Sequence, residues 1–334
     1  MSLLAMLGFD GFASAANVAS NTTGQPLISK MGFTRQGSVY IYSGLKNDGR
    51  NGVMLYDGDG TTAARATLSK TKTGGLIFGL AFAYADVFAS TGIRNILSVG
   101  GTPLIGITSD HKLVTGSANT DSGITLNPLT FYYAELVISA TGIQVWVNDT
   151  MIINVTQSTA DGAVGLVIGN LDANKANGAY MVFLDVYAAD TQGSVHNARL
   201  GPRKITTRLP TADVLKQFTP STGTDHFACV NAQDSKYVIS DQFVADPLED
   251  TFTSNQAIPD GVTAVQPFCL ANKEGTTGSV NFALETKLGD NIDAEAFALT
   301  TTQDLYLGAI KTVLPGAQPI QANLGNLQFG VKVS

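Results

Sequence analysis

Residues 130–155, TFYYAELVISATGIQVWVNDTMIINV, decide the fold. Three apolar runs, YYAELVIS, IQVWV and MIINV, are separated by SATG and by Asn148-Asp149. β-Branched and aromatic residues fill the runs, which is strand composition, and the Asn-Asp pair signals a two-residue hairpin. Side chains alternate along a strand, so Ile143, Val145 and Val147 share one side while Gln144 and Trp146 share the other. A strand with apolar groups on both sides suits a sandwich whose outer face is also covered.

The same pattern extends in both directions. SVYIY, GVMLY, GGLIFGLAFAYA, TPLIGIT, GAVGLVIG and AYMVFLDVYAA read as strands, with turn signals such as KNDGRNG, DGDG, ADG and NKANG between them. The polar stretch TQGSVHNARLGPRK then interrupts the pattern with Gly and Pro and no periodicity, as an interdomain linker does. Further strand-like runs follow: KITTRL, HFACV, YVIS, VTAVQPFCLA, GSVNFALETK, AFALT, DLYLGAIKTVL and LQFGVKV. Only TADVLKQF offers a short helical turn. The reading is an all-β chain with a sandwich over 1–190, a linker over 191–203 and a smaller β-sandwich over 204–334.

Bulk properties bound the function. At 334 residues the chain is long for a single core. Charged residues make up only 14%, and the net charge is −7. Residues 1–200 hold 11 Lys+Arg and 13 Asp+Glu, and residues 201–334 hold 9 and 14, so neither part has the basic excess that phosphate neutralisation requires. Nucleic-acid binding is excluded as an expectation, and so is membrane insertion, since no apolar run reaches the length of a membrane helix. The opening MSLLAMLGFDGFASAA has no basic residue before Lys30, and Asp10 interrupts its apolar run, so no export signal is expected. Asn21, Asn148 and Asn154 head Asn-x-Thr sequons that matter only in a secretory pathway. Two isolated cysteines, Cys229 and Cys269, form neither a disulfide framework nor a zinc site and are expected as free thiols.

Candidate sites are few. Asp57 and Asp59 are spaced as in a calcium loop, but Thr62 and Leu68 stand where such a loop needs Gly and an acid. Asp293 and Glu295 share a strand face roughly 7 Å apart, a separation compatible with glycoside hydrolysis. His111, His196 and His226 lie in different segments without metal-ligand spacing. Nucleophile-elbow, phosphate-loop and dinucleotide motifs are absent from the sequence. No catalytic residue, cofactor or metal is therefore expected. Trp146, Tyr132 and Tyr133 are the candidate glycan-binding residues, as a stacking platform, against the alternative that they fill the core.

The opening stretch resembles the central strand pair of concanavalin A-like, laminin G-like jelly rolls. LGFDGF, DVYAADTQGS, RLGPRKITTRLPTAD, FTPSTGTDHFACVN and FGVKV, in that order, resemble a family of tailed-bacteriophage structural proteins. Phe12 and the basic GPRK depart from that pattern. The resemblance implies a laminin G-like jelly roll followed by a C-terminal β-domain. It implies a non-enzymatic virion component of the tail or tail tip, assembled in the host cytoplasm beside other virion proteins and copies of itself. The alternatives are a lectin-like attachment protein for host surface glycans and a capsid decoration protein.

Overall fold

The computed structural model describes residues 3–9, 28–43, 51–57, 63–85, 93–156, 159–169, 179–230, 237–240, 247–274 and 280–333. The chain is all-β and forms two compact units, Met1–Thr207 and Arg208–Ser334.

The first unit is a jelly-roll sandwich of two antiparallel sheets. The eight-stranded sheet runs β13 (Thr150–Thr156), β12 (Gly142–Val147), β11 (Tyr132–Ser139), β6 (Gly75–Tyr84), β15 (Ala179–Asp190), β4 (Asn51–Asp57), β3 (Ser38–Ser43). Its remaining strand, β1 (Leu3–Leu7), pairs with the later half of β15. The seven-stranded sheet runs β10 (Thr120–Thr125), β9 (Lys112–Thr115), β8 (Thr102–Ile107), β7 (Arg94–Val99), β14 (Gly162–Gly169), β5 (Arg65–Lys72), β2 (Phe33–Gln36). The chain passes repeatedly from one sheet to the other.

Strand β6 shows how residue choice builds the layers. All ten of its residues are buried. Leu76, Phe78, Leu80, Phe82 and Tyr84 face the opposing sheet, while Gly75, Ile77, Gly79, Ala81 and Ala83 face outward. The inward face makes the core: Phe183 of β15 lies beside Phe82 and meets Phe33 of the other sheet at 5.6 Å. Apart from Ile77 the outward face is small, and at Gly75 and Gly79 the side chains of Thr191 and Tyr187 lie directly on it.

A β-bulge in β15 supplies one of those groups. Between Leu184 and Tyr187 the strand gains one residue over β6, with Asp185 at φ 55°. The extra residue re-aims Tyr187 to the outer face, over Gly79. A Cβ at Gly79 would come within 2.1 Å of the Tyr187 ring, so only glycine fits there.

The segment expected as the interdomain linker, 191–203, falls within the first unit, and its residues Arg199 and Gly201 bond to Glu135 on this outer face. It remains attached as far as Ile205, whose N–H donates to Asp185 at 2.9 Å.

The second unit is built on a five-stranded antiparallel sheet: β16 (Ala212–Lys216), β19 (Leu248–Thr253), β24 (Gln328–Val333), β21 (Asn281–Leu288), β22 (Asn291–Ala298). A two-stranded ribbon, β20 (Phe268–Ala271) with β23 (Asp304–Leu307), forms a second layer. There Tyr306 packs on Phe282 at 5.5 Å and on Phe297 at 5.6 Å. Another ribbon pairs β17 (Thr219–Pro220) with β18 (Val238–Ile239).

Two local expectations are reversed. TADVLKQF contributes strand β16, and HFACV is a helix, His226–Val230. The helix forms because Asp213 of β16 accepts the N–H groups of His226 and Phe227, which satisfies donors that a helix start leaves free.

Candidate functional site

The outer face of the eight-stranded sheet carries a row of residues centred on a buried carboxylate. Register places Tyr187 of β15, Gly79 of β6, Glu135 of β11, Trp146 of β12 and Met151 of β13 side by side across the strands. Glu135 is the centre of the row, and only 2% of it is exposed. Its Oε1 accepts the Tyr187 hydroxyl at 2.5 Å and the Gly201 N–H at 3.0 Å. Its Oε2 accepts Arg199 Nε–H at 2.9 Å. A buried carboxylate is costly unless paired and hydrogen-bonded, and here it is both.

Arg199 completes the arrangement. Its guanidinium carbon sits 3.9 Å from the centroid of the Trp146 ring, a cation–π contact, and its Nη2 donates to Asp149 Oδ1 at 2.8 Å. Asp149 and Asn148 form the β12–β13 hairpin turn with φ values of 63° and 45°, the left-handed geometry such turns require. Asn148 Oδ1 also accepts the Tyr133 N–H at 2.8 Å, fixing the turn to β11. Leu200 N–H donates to the Tyr187 hydroxyl at 3.2 Å. Residues 199–201 are thereby held to three strands at once. Burial pushes the Tyr187 hydroxyl pKa well up, and the Glu135 carboxylate accepting its proton adds to that shift.

The three candidate glycan-binding aromatics do not form one platform. Tyr132 and Tyr133 are consecutive in β11 and point to opposite faces. Tyr132 lies on the core side, its ring 6.0 Å from Phe82, and its hydroxyl accepts the Asn127 N–H at 2.7 Å. Tyr133 and Trp146 share the outer face, where Tyr133 is buried and its hydroxyl pKa is raised by desolvation. Trp146 is half-buried there and does not enter the core between the sheets, which Ile143, Val145 and Val147 of its strand fill.

The other candidates are occupied in structural roles. Asp293 pairs with Lys311 at 3.0 Å, and Glu295 accepts the Ala309 N–H at 2.5 Å, so both carboxylates bind the segment after β23. His226 Nδ1 lies 2.6 Å from Asp250 Oδ2; Asp250 is fully buried and accepts the N–H groups of Gln217 and Phe218 through Oδ1. That cluster fastens the β16–β17 connection to the sheet. His111 and His196 adopt positive φ in separate turns of the first unit. Asp59 lies outside the described residues. Among the described residues no group of three or more His, Cys, Asp or Glu is placed to hold a metal ion, and no helix is long and apolar enough to cross a membrane. Cys229 and Cys269 are free. Burial raises the Cys269 thiol pKa to about 12.

No protein-family model matches the chain, and no curated protein matches it in sequence. Among solved structures it is similar to a sialidase, at 13% identity and TM-score 0.38, over 56% of this chain; it spans 19% of that protein's length. It is similar to the cellulose induced protein Cip1, at 16% identity and TM-score 0.39, over 51% of this chain and 93% of that one. A carbohydrate binding module, CBM66 from Bacillus subtilis, matches at 12% identity and TM-score 0.31, over 48% of this chain and 96% of the module. None of these similarities carries an argument about function.

Proposed function

We propose that this chain is a non-enzymatic β-sandwich protein that works through protein–protein contacts, as a structural component of a tailed-phage virion, in the tail or tail tip. The observation that favours a structural wall over a sugar platform is that residues 199–201 lie over part of the outer sheet face, with Arg199 over the only tryptophan. A face committed to the chain's own backbone is a wall rather than an open sugar platform. The virion assignment draws on the sequence resemblance across the five segments given above. In this reading the partners are other virion proteins and copies of the chain. Immunogold labelling of purified phage particles with antibody against the chain tests it. Label at one end of the tail supports the role, and particles without label contradict it.

A second reading, a lectin-like attachment protein, has one observation in its favour. Trp146 stands on the outer face rather than in the core, and Asp149 beside it is 62% exposed, so displacing Arg199 alone would open a ring flanked by carboxylates. A glycan array probed with the native chain and with Arg199→Ala separates the two. Binding that the substitution strengthens supports the lectin; no binding by either supports the structural part.

A further inference from the structure

Two Asp-Gly pairs lie among the described residues, Asp161-Gly162 and Asp260-Gly261, and the fold holds them differently. An aspartyl side chain can close on the amide nitrogen of the next residue to form a five-membered succinimide. Glycine in that next position favours closure, because no Cβ blocks the approach and the backbone turns freely. Asp161 is restrained against it. Its Oδ1 accepts from Lys72 Nζ at 2.5 Å and from the Gly74 N–H at 3.0 Å, which holds the carboxylate away from its own backbone, and Gly162 is paired with Lys72 in the sheet.

Asp260 has no such restraint. Asp260 and Gly261 form an exposed turn, with Gly261 at φ 71° and open space where a Cβ would stand. Among the described residues none bonds to the Asp260 carboxyl. The turn is spanned by a side chain in place of the usual backbone hydrogen bond. Val262 N–H donates to Gln321 Oε1 at 2.7 Å, and Gln321 Nε2 donates to the Pro259 carbonyl at 3.3 Å. Gln321 sits on the short helix Ile320–Asn323, and both of its bonds go to residues outside the Asp-Gly pair. On either side of the turn, Ile258 and Val262 pack on a core cluster of Leu314, Ile320, Leu324 and Leu327.

We propose that Asp260 is a site of spontaneous isomerisation to isoaspartate. The Gly261 amide nitrogen bonds to Asp260 Cγ, and the carboxyl hydroxyl departs with the amide proton as water. A water molecule then opens the ring at the α-carbonyl, so the main chain runs through Cβ and Cγ, with no net change in mass and no other reagent consumed. The product lengthens the backbone by one carbon within the span that the Gln321 carboxamide bridges. That bridge then loses at least one of its two bonds, and Ile258 and Val262 loosen from the cluster. The modification is independent of the virion assignment, since either proposed role accommodates it.

Ageing of the full chain tests this. After weeks in warm, mildly acidic buffer, peptide mapping should find isoaspartate at Asp260 at least tenfold more than at Asp161. The aged native chain should unfold at lower urea than a fresh one. Asp260→Glu, which would have to close a six-membered ring, should keep its midpoint through the same treatment. An Asp260 that stays intact while a free peptide of residues 255–265 isomerises, or isoaspartate at Asp161 to the same extent, overturns the site. An isomerised chain with an unshifted midpoint overturns the loosening of the core cluster.

Discussion

The Arg199 guanidinium carbon sits 3.9 Å from the centroid of the Trp146 ring while its Nε–H reaches Glu135, 64 residues earlier in the chain. That one side chain ties a segment without secondary structure to the middle of a sheet. Replacing it by alanine leaves the Glu135 carboxylate buried without its cation. We expect Arg199→Ala to cost about 3 kcal/mol, the usual scale for breaking a buried pair from one side. Chemical denaturation of the first unit checks this.

Gly79 is the second test of the same architecture. Any side chain there collides with the Tyr187 ring, so Gly79→Ala should destabilise by roughly 1–3 kcal/mol through overpacking. Combining it with Tyr187→Ala should cost less than the sum of the single changes, because the clash partner is gone. Additive losses would show that the ring does not lie on Gly79.

The pH dependence has a definite sign. Burial raises the hydroxyl pKa values of Tyr133 and Tyr187 in the folded chain above the ordinary value of 10.0. A folded pKa above the unfolded one means full stability below the unfolded value and loss as pH climbs beyond it. Stability of the first unit is therefore expected to hold up to about pH 10 and then fall. Each buried tyrosine contributes up to about 1.4 kcal/mol per pH unit above that point. Urea midpoints at pH 8, 10 and 11 check it, and Tyr187→Phe should flatten the decline.

Trp146→Ala follows from the ring's position. A half-buried ring under one cation contributes less than a core aromatic, so we expect a loss of about 1–2 kcal/mol, below the range of a full core deletion. A thermal midpoint indistinguishable from the native one would remove the indole from any structural role.

The strands were legible because their signals are local. Alternation in IQVWV, the Asn148-Asp149 turn and the large–small alternation of GLIFGLAFAY each follow from neighbouring residues. The cover formed by residues 199–201 was not legible. Arg199 sits in a polar, aperiodic stretch, and nothing near it names Glu135 or Trp146 as partners. One hint existed: a strand whose outward side is glycine and alanine at four of five positions leaves room for something close above it. HFACV misled for a similar reason, since its helix depends on Asp213, 13 residues before His226. The carboxylates of Asp293 and Glu295 share a face as their spacing indicates, but their partners, Lys311 and Ala309, come from beyond the next strand.

Fluorescence of the single tryptophan reads the cover formed by residues 199–201 directly. In acrylamide quenching, the native chain should protect Trp146 several-fold relative to a free indole, and Arg199→Ala should remove much of that protection while the fold stays intact by circular dichroism. An unprotected native tryptophan, or one whose emission shifts on adding a host polysaccharide, would contradict a tryptophan covered by Arg199.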